Sequence, residues 1–260
     1  MCVIICGSAA NKPTDEQLEQ CWARNPHGAG IAHYDSQGRI VWRKGIRDLD
    51  EVVSFVHNVQ QQWIVHMRFI TVGGDHDVLC HPFPISKESP ASTSGSGSGP
   101  VLFHNGTVRD WQRMARDLSI SDPDAVIPDG RLSDSRIVAW LCAHKGYRFL
   151  RLLDQGRFAV MTTNRGVRLF PENGSGRNTW HKIGGCFYSN RDWLTMPSRD
   201  GSGRTGGAKW GPDDTSRAWA QDSTSLTQRT LPGVDSTDDE EWRNRQGDLP
   251  EGWPPPEETA

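Results

Sequence analysis

Residues 28–42 read GAGIAHYDSQGRIVW. Two β-prone runs, Gly28 to Tyr34 and Ile40-Val41-Trp42, flank the turn residues Asp35-Ser36-Gln37-Gly38. Such runs, joined by a short link rich in Asp and Gly, form a β-hairpin, whose strands are antiparallel. Phe158 to Thr163 and Gly166 to Phe170 repeat the pattern around Asn164-Arg165. Residues 2–6, Trp63 to Phe69, Val101 to His104 and Cys186 to Ser189 are further strands, because β-branched and aromatic residues pack well on a pleated surface. The Asn105-Gly106 pair after His104 is a turn signal.

Helices fall between these runs. Thr14, with Glu16 and Gln17 behind it, has the form of a capped start to a helix running to about Arg24. Asp48 to Val59, Trp111 to Leu118 and Ser133 to His144 read as helical, with Ser133 as an N-cap. Runs of strands alternate with pairs of helices, and hairpins dominate. That pattern implies an α+β fold with antiparallel sheets rather than a doubly wound parallel one.

The composition divides the chain. Mean hydropathy is −0.63 and 35% of residues are hydrophobic, too polar for 260 fully packed residues. Residues 201–260 hold six Lys or Arg against twelve Asp or Glu, a net charge of −6, and have few aliphatic residues. The rest of the chain is net +3. We therefore expect a folded domain at 2–198 and a disordered acidic tail at 199–260. The tail carries Trp210, Trp219, Trp242 and Trp253, which would suit docking on a protein partner; otherwise it only solubilises. Ser86 to Pro100, SKESPASTSGSGSGP, reads as a flexible insertion within the domain.

No apolar run approaches the roughly 20 residues that span a bilayer. The N-terminus has no basic flank and too short an apolar core for an export signal. These features predict a cytoplasmic protein whose six cysteines are reduced thiols. A net charge of −3 gives no general preference for nucleic acid or membrane. No pair of ligands has the spacing of a structural zinc site, so no metal is expected. No glycine-rich stretch has the G-K-[ST] of a phosphate-binding loop, and there is no G-x-S-x-G elbow. No cofactor is expected.

Cys2 raises a chemical possibility. A thiol of pKa about 8.5 needs a base to react at neutral pH, and a free α-amine titrates at about 7.7–8.0. If Met1 is removed, Cys2 carries nucleophile and base together. If Met1 stays, that nitrogen is an amide and the base is lost. An amide hydrolase also needs oxyanion donors and substrate anchors. The amide of Asn105 and the N–H of Gly106 could be the donors, or the pair could be a plain turn. Arg68, at the end of an apolar strand, could grip a carboxylate with two hydrogen bonds or form a surface salt bridge. Asp134, in the first turn of a helix, could bind an ammonium or merely complement the helix dipole. Each taken alone is ordinary; together they make a site for an amino acid bearing a side-chain amide.

Met1-Cys2, Arg68-Phe-Ile-Thr-Val-Gly73, His104-Asn-Gly106 and Ser133-Asp-Ser135, in this order, resemble the class II glutamine amidotransferases of the N-terminal-nucleophile hydrolase superfamily. Arg24-Asn-Pro-His-Gly-Ala-Gly-Ile-Ala32 and His81-Pro-Phe83 are further echoes, and the resemblance spans residue 2 to about 195. It implies a four-layer αββα sandwich and hydrolysis of glutamine to glutamate and ammonia through a thioester at Cys2. It implies that Asn105 and Gly106 hold the oxyanion, that Arg68 and Thr71 bind the α-carboxylate side, and that Asp134 binds the α-ammonium. Arg24 would order the region around Cys2. Val72, where some members have His, His27, in place of an acid, and the 86–100 insertion depart from the family pattern. Members fuse this domain to an ammonia-consuming synthase, for which residues beyond about 200 are unsuited. The implied protein is a glutaminase supplying a separate ligase or synthase, with glutamine as substrate. The alternatives are a hydrolase of another γ-glutamyl amide and a catalytically silent binding module.

Overall fold

The computed structural model describes residues 2–70, 74–163, 166–171 and 179–195. Thr71, the Asn164-Arg165 turn and the 199–260 segment, on which expectations fell, lie outside them.

A run of β-branched residues makes β1 (Val3–Gly7), which is buried on both faces. Thr14 then starts α1 (Asp15–Arg24) with a capping box: Thr14 Oγ1 accepts from the Gln17 N–H, and Gln17 Oε1 accepts from the Thr14 N–H. This satisfies two backbone donors that the first helical turn leaves open. The opening hairpin is β2 (Ala29–Tyr34) and β3 (Ile40–Ile46), with Asp35 Oδ1 accepting from the N–H groups of Gln37 and Arg39 in the turn. Asp48 caps α2 (Leu49–Asn58), and β4 (Trp63–Met67) follows, fully buried. Next come β5 (Phe83–Pro84), β6 (Ser94–Gly97) and β7 (Val101–Gly106). Helices α3 (Trp111–Ser121) and α4 (Asp134–Lys145) precede the second hairpin, β8 (Gly156–Thr162) and β9 (Gly166–Phe170). Short strands β10 (His181–Ile183) and β11 (Cys186–Tyr188) follow, and a 3-10 turn over Asp192–Thr195 comes last among the described residues.

The strands form two sheets. One has the order β10-β11-β1-β4-β2-β3-β6, the other β5-β7-β8-β9, and every pairing is antiparallel. Alternation along each strand sends successive side chains to opposite faces. Val3 and Ile5 of β1 therefore pack with Leu18, Val52 and Val56 of α1 and α2. Ile4 and Cys6 face the other way and meet Val101 and Phe103 of β7. Leu102, Phe158 and Val160 turn to the far side, onto Ala115 and Trp140 of α3 and α4. Three apolar clusters thus separate four layers, and the fold is an αββα sandwich of two antiparallel sheets.

Two local expectations are corrected. Asn105-Gly106 is not a turn: β7 continues through both residues, opposite Arg157 and Gly156 of β8. A Cβ on Gly106 would lie 2.6 Å from the Gln155 oxygen and 2.7 Å from the Gly156 Cα, so glycine is needed for this backbone approach. The 86–100 insertion is also partly built into the fold, since β6 pairs with β3 as the sheet's edge. A Cβ on Gly95 of β6 would come within 2.7 Å of the Trp42 ring, so the small residue lets that ring lie across the edge. The six cysteines are free thiols. No helix among the described residues is long and apolar enough to cross a membrane.

Candidate active site

Cys2 precedes β1 and, by alternation, shares the face of Ile4 and Cys6. Its Sγ sits against the Phe69 backbone, accepting from the Phe69 N–H at 3.2 Å and lying 3.2 Å from the Phe69 carbonyl, to which it donates. Its own carbonyl accepts from Asn190 Nδ2 at 2.6 Å. Burial pushes the thiol pKa up; the Phe69 N–H and the charge of Arg68 oppose this, and Asp134 adds to it. A thiol so placed is protonated at neutral pH and needs a local base to react.

Arg68 follows β4, across from Cys2, and is buried. Its guanidinium donates to the carbonyls of Gly74 (2.8 Å) and His76 (3.4 Å). The Arg24–Ala32 segment fixes the backbone here. The Arg68 N–H donates to the Gly28 carbonyl, the His27 N–H donates to the Arg68 carbonyl, and the Ile70 N–H donates to His27 Nδ1. His27 also lies 5.0 Å from the Phe69 ring, centroid to centroid. His27 is thus an acceptor for the backbone of the residue after Phe69, and burial lowers its pKa.

Asp134 opens α4, whose N-cap is Ser133. It is buried, in the first turn of the helix. Its Oδ2 accepts from the Val108 N–H at 2.9 Å and lies 3.7 Å from His104 Nδ1. His104 Nδ1 is also 3.0 Å from Ser135 Oγ, and its ring stacks on Phe158. Burial lowers the His104 pKa, against the pull of Asp134.

Cys2, Arg68, Gly106 and Asp134 line one pocket, together with His81, His104 and Ser135. Four of the residues singled out in the sequence therefore meet, although they come from four separate elements. Asn105 does not line the pocket; it is buried, on the face of β7 that carries Val101 and Phe103, and its Nδ2 donates to Ser189 Oγ at 2.8 Å. Arg24 does not join them: it is exposed at the end of α1 and does not line the pocket, so the support expected of it falls instead to the neighbouring His27 and Gly28. His81, His104, Ser135 and Ser189 were not assigned roles from sequence; the histidine of H-N-G and the second serine of S-D-S were the available signals. Among the described residues no three His, Cys, Asp or Glu side chains are grouped to hold a metal ion.

The pocket can do specific chemistry. Its lining combines the Cys2 thiol with a buried cation, Arg68, and a buried carboxylate, Asp134.

No protein-family model matches the chain, and comparison with curated proteins gives no match. Solved structures do match. One is the glutamine phosphoribosylpyrophosphate (PRPP) amidotransferase from B. subtilis complexed with ADP and GMP, at 23% identity and a TM-score of 0.47. Another is described as the allosteric regulatory enzyme of purine biosynthesis, at 22% identity and a TM-score of 0.50. Each match covers 72% of this chain and 41% of the other, so the chain spans well under half the length of these neighbours. The second likeness shows a shared fold, in agreement with the αββα architecture above.

Proposed function

We propose that this chain is a glutaminase-type amidotransferase subunit with an N-terminal cysteine nucleophile. The observation that carries the reading is the convergence of Cys2, Arg68 and Asp134 on one pocket.

Removal of Met1 frees the Cys2 α-amine, which takes the thiol proton. The thiolate attacks the side-chain carboxamide carbon of glutamine, whose α-carboxylate pairs with Arg68, with Thr71 alongside, and whose α-ammonium pairs with Asp134. The tetrahedral oxyanion accepts hydrogen bonds from the Asn105 amide and the Gly106 N–H. The C–N bond breaks, the α-ammonium of Cys2 returns a proton to the leaving nitrogen, and ammonia departs from a γ-glutamyl thioester. Water, deprotonated by the same amine, attacks the thioester and releases glutamate. Ammonia passes to a separate ligase or synthase in the cytoplasm. The acidic 199–260 segment, with its four tryptophans, is the docking element for that partner.

The test is release of glutamate from glutamine by protein whose intact mass lacks Met1. Turnover of a different γ-glutamyl amide, with none of glutamine, would reassign the substrate. Turnover by protein that retains Met1 would overturn the mechanism. Removing residues 201–260 is expected to leave hydrolysis intact and weaken capture of the partner.

A further inference from the structure

The residues that follow β11 are bonded to both halves of the proposed machinery. The Ser189 N–H donates to the Ile4 carbonyl at 3.0 Å, continuing the β11–β1 ladder by one residue. The side chain then leaves that pattern. Ser189 Oγ accepts from the Ile4 N–H at 2.8 Å and from Asn105 Nδ2 at 2.8 Å. Ile4 belongs to β1, two residues beyond Cys2; Asn105 belongs to β7 in the other sheet. The next residue, Asn190, donates from Nδ2 to the Cys2 carbonyl at 2.6 Å. Ser189 is 0% exposed and Asn190 is 4% exposed, so neither bond is diluted by solvent.

A serine oxygen has two lone pairs. Both are taken here, one by a backbone N–H that is fixed by the ladder. The second is taken by the NH2 end of Asn105, which faces Ser189 in this arrangement. One hydrogen of that NH2 is held by Ser189 Oγ; the other is the one the proposed oxyanion would take. A free asparagine amide flips and rotates about a broad terminal torsion; this one is held by a serine that is itself bonded to the strand following the nucleophile.

We propose that Ser189 is a positioning residue that orients the Asn105 amide as an oxyanion donor and sets its height relative to Cys2. This rests on the amidohydrolase reading above. Ser189 touches no substrate atom; it acts through Asn105. Losing an oxyanion donor outright costs about 10²–10³ in kcat, so loosening its support is expected to cost about ten- to a hundredfold, with KM within about twofold.

The experiment compares full-length wild type, Ser189→Ala and Ser189→Cys, each with Met1 removed. Ser189→Cys keeps the volume and is a weak acceptor, so it serves if the alanine variant does not fold. Two probes of Cys2 are read by mass spectrometry. A chloroketone analogue of glutamine must place its carbonyl oxygen in the oxyanion site, whereas iodoacetamide need not. The expected result is a lower kcat at similar KM, and a drop of about tenfold or more in chloroketone labelling of Cys2 relative to iodoacetamide labelling. Wild-type kcat and an unchanged labelling ratio in a folded variant would overturn the assignment. So would a parallel fall in both labelling rates, which marks general disruption around Cys2. A wild-type protein that hydrolyses no glutamine and resists the chloroketone overturns the functional reading itself, and is distinguished by that control.

Discussion

The layer between the two sheets has two ends built from the same strands. At one end Cys6 of β1, Ile64 of β4, and Val101 and Phe103 of β7 form an apolar cluster. A few residues along, on the same faces, the chain places Cys2, then His66 and Arg68, then Asn105. Alternation is unbroken between the ends, so backbone geometry alone does not separate core from site. The difference lies in side-chain chemistry and in where the strands stop. Arg68 and Gly106 stand where β4 and β7 finish, and the pocket opens there. The apolar end holds the sheets together; the polar end is held in turn by specific partners such as Phe69, Ser189 and Val108.

Substitutions at the two ends should therefore have opposite signatures. Cys2→Ala is expected to abolish glutamine hydrolysis, a loss on the order of 10⁴-fold or more, while the urea midpoint stays near wild type. Residual turnover well above background in that variant would transfer the nucleophile elsewhere. Phe103→Ala, at the apolar end, should cost about 3–5 kcal/mol in urea unfolding, because it leaves a cavity between the sheets. The fraction that remains folded should keep its kcat; a selective loss of kcat would erase the distinction between the ends. Asp134→Asn should raise KM by about ten- to a hundredfold through loss of the ammonium partner, with a smaller change in kcat. A KM unchanged in that variant would remove Asp134 from the substrate site.

A smaller effect comes from the polar end's histidines. His66 is 0% exposed, its ring lies 4.1 Å from that of His81, and the nitrogens of both rings have no hydrogen-bond partner among the described residues. Burial lowers the His66 pKa to about 3, helped by the nearby Arg68 charge, and lowers that of His81 as well. An unfolded histidine takes up its proton near pH 6.5, so below that pH the unfolded chain binds more protons than the folded one. Stability is thus full above about pH 6.5 and is lost as pH falls toward 3. At pH 5 His66 alone accounts for about 2 kcal/mol, by 1.36 kcal/mol per unit. Urea midpoints at pH 7 and pH 5 check this, and His66→Gln should flatten the dependence. A flat profile in wild type would show that the buried imidazoles do not resist protonation.

How much of this was legible depended on the range of the interaction. The opening hairpin and the Thr14–Gln17 capping box were readable because all their partners lie within a few residues. β6 was not, because Ser-Gly-Ser-Gly has no β-propensity; it is a strand only because β3 and the Trp42 ring offer it an edge. Asn105-Gly106 was misread for the same reason. Locally it has the composition of a turn, but the backbone approach of Gly156 keeps it in the ladder. In the site, Cys2, Arg68 and Asp134 announced themselves by chemistry that is costly to bury without a partner. Ser189 gave no such signal, since its significance is a contact across 84 residues. Arg24 was drawn in by its motif, yet the histidine and glycine of that motif make the contacts.

The account's central claim is that Cys2 becomes the reactive N-terminus of a glutamine site. One measurement tests it directly: intact-mass and peptide-mass analysis of active protein after the glutamine chloroketone. The account predicts a chain lacking Met1, with one equivalent of label on Cys2 and glutaminase activity lost in proportion. Label on another residue, or loss of activity in a chain that still begins with Met1, would contradict it.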